Sequence, residues 1–217
     1  VREKSIFTKE ELDYLLQQLD EKGLIQAKCL LRLIMSSGAR VSELLRINMD
    51  MIDLENVAFE GLFLETTKEI KVKGMGTGGK KIYRYLIKDL FEPYYLEWVP
   101  IREKIMKENG QEHNSLFIKK DGSPATVCVL RTMMNGWGEI LGKPWYPHSG
   151  RHFWTTYLLS IGCEQEFVQE LQQWSTSAMV AIYNDATAKD REWKGLSKLK
   201  LHLDKDKVIT DIEELTK

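Results

Sequence analysis

The sequence predicts a mainly helical α+β domain carrying one small antiparallel sheet. Three observations predict it. Apolar residues recur at helical spacing near the start of the chain and through most of its second half. Two short runs rich in β-branched and aromatic residues flank a stretch holding Gly74, Gly76, Gly78 and Gly79. No internal repeat or low-complexity linker breaks the series, and 217 residues suffice to bury one full core.

The elements follow in order. Thr8-Lys9-Glu10-Glu11 fits a capping box, and Leu12, Leu15, Leu16 and Leu19 then repeat on one face of a first helix. Ala27, Leu30, Leu31, Ile34 and Met35 make a second helix, which Gly38 is placed to end in the left-handed conformation. Ser42 is expected to cap a third, short helix through Leu45, and residues 48–56 read as a turn region. Val57 to Thr67 and Ile82 to Ile87 read as strands, joined by a long, glycine-rich, basic hairpin tip. Downstream the pattern is helical. Pro93 to about Glu108 carries Leu96, Ile101 and Ile105, with a kink expected at Pro100. Ser123-Pro124 reads as an N-cap and first-turn proline ahead of a stripe of Val127, Leu130, Met134, Trp137 and Leu141. Further helices are expected from Pro147 to about Ile161, from Glu164 to Gln173 and from Ser177 to Asn184.

Composition narrows the class. Hydrophobic residues make up 43% of the chain, which excludes a disordered or collagen-like protein. No apolar run approaches the roughly 20 residues of a membrane helix. Cys29, Cys128 and Cys163 are odd in number and far apart, which suits buried thiols in a reducing, cytoplasmic setting better than disulfides or a metal site. The net charge of −1 argues at face value against a polyanionic partner, but the charges are segregated. Lys68 to Lys88 holds seven cations (Lys68, Lys71, Lys73, Lys80, Lys81, Arg84 and Lys88) against Glu69 alone, while Lys9 to Glu21 carries five acids and one lysine.

Several polar residues recur at spacings that carry chemistry. Gly38-Ala39-Arg40-Val41-Ser42-Glu43-Leu44-Leu45 puts Arg40 at a helix start with Glu43 three residues on, able to hold its guanidinium. His148-Ser149-Gly150-Arg151 opens another helix and sets His148 and Arg151 about one turn apart. Trp174 follows Arg151 by 23 residues, and Tyr183 follows Trp174 by nine. Each residue alone has a plainer reading, as a core aromatic, a helix cap or a surface ion pair. The ordered set with both spacings does not.

From about Phe7 to Asp185 these boxes resemble the catalytic domain of the tyrosine recombinases, also called phage integrases. The resemblance implies a helical catalytic domain over residues 1–185 with a small three-stranded antiparallel sheet, of the DNA breaking-rejoining type. It also implies a tail over residues 186–217 that docks on a neighbouring protomer. The family's N-terminal core-binding domain is expected to be absent from a chain that begins at the catalytic domain's first helix. Arg40, Lys68, His148, Arg151, Trp174 and Tyr183 occupy the family's catalytic positions, with Trp174 where most members have His. Lys73, beside Gly74, is the alternative to Lys68 for the hairpin lysine. The hairpin residues Lys71, Lys73, Lys80, Lys81 and Arg84 are the expected DNA contacts. The implied partners are double-stranded DNA and three further copies of the chain in a tetramer, with no metal and no cofactor.

The chemistry accounts for the residue types. A phosphodiester under attack gathers negative charge on its non-bridging oxygens, which two forked guanidiniums can hold. Tyr183 would form a 3′-phosphotyrosine and release a 5′ hydroxyl, so the bond energy is conserved. His148 is the candidate proton acceptor, the hairpin lysine the candidate proton donor, and Trp174 a donor to phosphate oxygen. A type IB topoisomerase-like or telomere-resolving enzyme, a DNA-binding module without catalysis, and a helical interaction domain are the alternative readings.

Overall fold

The computed structural model describes residues 7–72, 80–146, 148–161, 163–172, 196 and 199–204. They form two compact units, residues 1–154 and 155–217. Among the described residues no helix is long and apolar enough to cross a membrane.

The first unit is mainly helical. In α1 (Lys9–Glu21) the Thr8 hydroxyl accepts from the Glu11 amide at 3.2 Å, and the Glu11 carboxylate accepts from the Thr8 amide at 2.8 Å, the predicted capping box. Leu12, Leu15 and Leu19 are its buried face. Helix α2 (Ile25–Ser37) is buried along almost its whole length and packs against α1, α4 and β5; its buried Lys28 is paired with Asp20 and Glu97. Gly38 ends it at φ 58°, as predicted, and its amide donates to the Ile34 carbonyl at 2.8 Å.

Helix α3 (Val41–Leu44) begins two residues earlier than the sequence suggests. Arg40, not Ser42, takes the N-cap position, because the Glu43 side chain reaches back to accept from the Arg40 amide at 3.0 Å. The predicted strand from Val57 to Thr67 is in fact a hairpin, β1 (Val57–Ala58) and β2 (Phe63–Glu65). Phe59, Glu60 and Gly61 turn it with φ of 50°, 57° and 82°. Left-handed backbone is costly at an aromatic residue, and Phe59 offsets it by edge-on contacts with Phe63 and Tyr85 at ring separations of 5.6 and 5.0 Å.

The second predicted strand also divides, into β4 (Lys81–Ile82) and β5 (Tyr85–Ile87). Among the described residues β1, β2 and β5 form a three-stranded antiparallel sheet in that order, with Phe63 opposite Ile87 and Leu64 opposite Leu86. A separate two-stranded ribbon pairs β3 (Ile70–Lys71) with β4, setting Ile70 against Ile82 and Lys71 against Lys81. The predicted glycine-rich tip, including Lys73, lies outside the described residues.

Helix α4 (Lys88–Glu108) starts directly after β5, five residues before the predicted Pro93. Its buried stripe is Phe91, Tyr95, Trp98, Arg102 and Met106, whereas the predicted core residues Leu96 and Ile101 are exposed. The large aromatics set the inward face, and Trp98 anchors it by donating to the Leu116 carbonyl at 2.9 Å. Before α5 (Val127–Leu141) the cap is Thr126 rather than Ser123. Ser123 instead closes a turn on the Asp121 carboxylate, and Pro124 bridges back to Ile118. Leu130, Met134 and Trp137 are buried as predicted, but Cys128 points outward and is exposed; Cys29 and Cys163 are buried.

Helix α6 runs from Ser149 to Ser160. In the second unit, α7 (Gln165–Gln172) buries Phe167, Val168 and Leu171; Leu196, Leu199 and Leu203 are also buried there, and Tyr157 meets His202 edge-on at 5.6 Å. The predicted helix over Ser177 to Asn184 lies outside the described residues.

Candidate active site

The most buried helix of the first unit builds the site. The end of α2 supplies three anchoring points in succession. The Ser36 carbonyl accepts from the Trp154 indole at 3.3 Å, the Gly38 carbonyl accepts from the Arg151 Nε at 3.1 Å, and the chain then enters α3 at Arg40. Carbonyls at a helix C-terminus carry partial negative charge, so this is a favourable seat for a guanidinium. Arg40 and Arg151, distant in sequence, are therefore both fixed to one helix end.

Glu43 joins them. It is fully buried, and its Oε1 accepts from Arg40 Nη1 at 2.8 Å while its Oε2 lies 3.5 Å from Arg151 Nη2. Arg84 Nη2 donates to the same Oε2 in a short contact. Burial alone would raise the Glu43 pKa, but the charge of Arg84, the amide and side chain of Arg40, and Arg151 outweigh it and hold the carboxyl below the usual carboxylate range. Arg151 is lowered to about 10 by burial first and by repulsion from Arg40 second, which leaves it cationic at neutral pH. The side chains of Arg40 and Arg151 are 36% and 11% exposed, so Arg40 is the more open of the two to solvent.

Helix α6 presents Arg151 through close packing. Gly150, the residue before it, sits against Ile34 of α2 so tightly that a Cβ there would lie 2.1 Å from the Ile34 methyl Cγ2. The buried Ser149 hydroxyl accepts from the Tyr146 amide at 3.0 Å and secures the helix start. His148 stands just before the helix and is exposed, available to a ligand on that side.

The basic hairpin divides into two groups. Lys71, Lys80 and Lys81 are exposed. Lys71 and Lys81 oppose each other across the ribbon, a like-charge pairing that costs stability and suits an anionic partner. Arg84 does not fit the expected DNA contact. It is 1% exposed and turned inward onto Glu43, because the alternation Ile82 in, Tyr83 out, Arg84 in continues across the break between β4 and β5. That alternation was the signal in the sequence that placed Arg84 under the site. Lys68 is 59% exposed and its ammonium is held 2.5 Å from the Asp50 carboxylate, a partner without a sequence signal. Lys73, Trp174 and Tyr183 lie outside the described residues. The cavity of about 1170 Å³ between α4, α5 and the α1–α2 junction is lined by Trp98, Ile105 and Trp137 and by none of the predicted site residues.

Within a helical domain carrying a small sheet, three guanidiniums, those of Arg40, Arg84 and Arg151, thus converge on one buried carboxylate. Residues 5–190 match the model of the phage integrase family, and the chain belongs to that family. It is 28% identical over 185 residues to a tyrosine recombinase XerD of Oceanobacillus iheyensis, covering 84% of this chain and 58% of the relative. It is 31% identical over 158 residues to a tyrosine recombinase XerC of Pseudomonas aeruginosa, covering 72% of this chain and 46% of that one. The chain thus spans about half the length of these curated relatives. In fold it resembles XerA recombinase, with a TM-score of 0.61 at 17% identity over 89% of this chain and 66% of that one. It likewise resembles XerH recombinase bound to its difH substrate before cleavage, with a TM-score of 0.60 at 21% identity, covering 85% and 52%.

Proposed function

We propose that this chain is the catalytic part of a site-specific DNA recombinase that cuts and rejoins strands through a covalent 3′-phosphotyrosine. The observation that carries the reading is the pair Arg40 and Arg151, drawn from distant parts of the chain onto the single buried carboxylate of Glu43. Membership of the phage integrase family and the recombinase names of the XerC and XerD relatives support it.

In this mechanism the two guanidiniums bind the non-bridging oxygens of the scissile phosphate and stabilise the pentavalent centre. Tyr183 attacks phosphorus, its proton passing toward His148, and the bond to the 5′ oxygen breaks. Lys68, or Lys73 on the hairpin tip, gives the leaving oxygen its proton, and Trp174 donates to a phosphate oxygen. Rejoining reverses these steps with a 5′ hydroxyl from another strand, so no energy source is consumed. Lys71, Lys80 and Lys81 contact the DNA backbone. Four copies assemble on DNA, with the segment from about residue 186 onward docking on a neighbour.

The test is a half-site duplex nicked near the cleavage point, which lets the cut fragment diffuse away. Wild-type protein is expected to give an adduct on a denaturing gel, and Tyr183→Phe none. Loss of the adduct in wild type, or an equal adduct with Tyr183→Phe, overturns the mechanism; DNA binding without adduct would leave a DNA-binding module.

A further inference from the structure

We propose that Arg84 is a positioning residue for strand cleavage, acting from beneath the site through Glu43 to keep Arg40 and Arg151 available to the phosphate. The inference rests on the recombinase reading above and adds a residue that never touches DNA.

The placement of Arg84 is strongly determined. Its amide donates to the Thr66 hydroxyl at 3.0 Å and its carbonyl accepts from the Thr66 amide at 2.9 Å, so the backbone is held from both sides by one buried residue. The side chain, 1% exposed, then meets the fully buried Glu43. Glu43 also holds Arg40 through its other oxygen and through the Arg40 amide. A bridge therefore runs from the strand segment 82–87 to the start of α3.

Charge explains what the bridge does. Arg40 and Arg151 with Glu43 alone would present a net charge of +1; Arg84 restores it to +2 from a position no phosphate reaches. Geometry adds a second effect. Arg84 and Arg151 share Glu43 Oε2, and Arg84 holds it closely while Arg151 stands at 3.5 Å, the outer limit of a hydrogen bond. With Arg84 removed, Oε2 loses its close guanidinium while Arg40 stays on Oε1, and Arg151, already 3.5 Å from Oε2, turns inward onto it. The phosphate then meets one guanidinium fewer.

The test measures adduct formation by the full 217-residue chain on two nicked half-sites. One carries an ordinary phosphodiester at the cleavage point, the other a methylphosphonate, in which an uncharged methyl replaces a non-bridging oxygen. Arg84→Met is expected to slow adduct formation on the phosphodiester by about 10- to 100-fold, by analogy with the losses seen when the hydrogen-bond partner behind a metal ligand is removed. On the methylphosphonate, which gathers one negative charge less, the ratio of wild-type to variant rate is expected to narrow several-fold. Arg84→Lys, which keeps the charge, should recover part of the loss and also supplies a folded comparison. Equal deficits on both substrates, a wild-type rate in Arg84→Met, or an Arg84→Lys rate as low as that of Arg84→Met would overturn the role. No adduct from wild type on either substrate would instead overturn the recombinase reading, and this inference with it.

Discussion

Gly150→Ala is expected to destabilise the protein and to disable the site, although it adds a single methyl group. The new Cβ would sit 2.1 Å from Ile34 Cγ2, about 1.5 Å inside the ordinary carbon–carbon contact distance. Relief by rotation is not available, because Ile34 is β-branched in the interior of α2, where one rotamer dominates, and it is 2% exposed. The other near atoms, Ile34 Cβ at 3.6 Å and Trp145 Cζ2 at 3.8 Å, are in ordinary contact and do not absorb the clash. The helices must therefore separate, at a cost of about 1–3 kcal/mol. For a chain of this length that corresponds to a fall of about 2–12 °C in Tm. Thermal unfolding followed by circular dichroism measures it. A double-mutant cycle with Ile34→Ala, which removes the offending methyl, should show that the two substitutions together cost at least about 0.5 kcal/mol less than their sum. An unchanged Tm in Gly150→Ala, or strict additivity, would refute the packing argument. Because Arg151 follows directly and holds the Gly38 carbonyl, a displacement of about 1 Å should also slow cleavage by about 100-fold.

Three further predictions address the electrostatics and the assembly. Since Glu43 has a folded pKa below its unfolded value of about 4.3, it contributes stability that is fully present above that value and is lost as pH falls through the lowered one. The stability gap between wild type and Glu43→Gln in urea unfolding should thus be widest at neutral pH, about 3–5 kcal/mol, and close below about pH 4; a gap constant with pH would refute the charge role. Of Lys68→Ala and Lys73→Ala, one is expected to cut adduct formation by about 10²- to 10⁴-fold and to be rescued by a substrate whose leaving oxygen is replaced by sulfur, which needs no proton. Rescue of neither would remove a lysine acid from the mechanism. Deleting residues from about Asp190 onward should impair tetramer formation on DNA, followed by light scattering, more than adduct formation on a half-site; unimpaired assembly would refute the docking role.

Much of this was legible in the chain itself, for reasons tied to short-range chemistry. The Thr8–Glu11 capping box, the left-handed cap at Gly38 and the stripe through Leu130, Met134 and Trp137 depend on neighbours within one or two helical turns, and the sequence carried all three. Where longer-range packing competed, it prevailed. The aromatics Phe91, Tyr95 and Trp98 took the inward face of α4 from Leu96 and Ile101, whereas the cap of α3 went to Arg40 rather than Ser42 through a local contact, the reach of Glu43 back to the Arg40 amide. The turn through Phe59, Glu60 and Gly61 broke one expected strand into two, because aromatic contacts from β2 and β5 offset a backbone conformation that Phe59 disfavours alone.

The sequence by itself determined the fold class, the family and the pairing of Arg40 with Glu43, because each is written in residue type and local spacing. The tertiary structure decided what Glu43 holds. A carboxylate can be shared by three guanidiniums only where the end of α2, the inward side of the strand segment 82–87 and the start of α6 converge, and no local pattern encodes that meeting. It turned Arg84 from an expected surface contact into a buried support, and it gave Gly150 its purpose as the point where two helices come too close for any side chain.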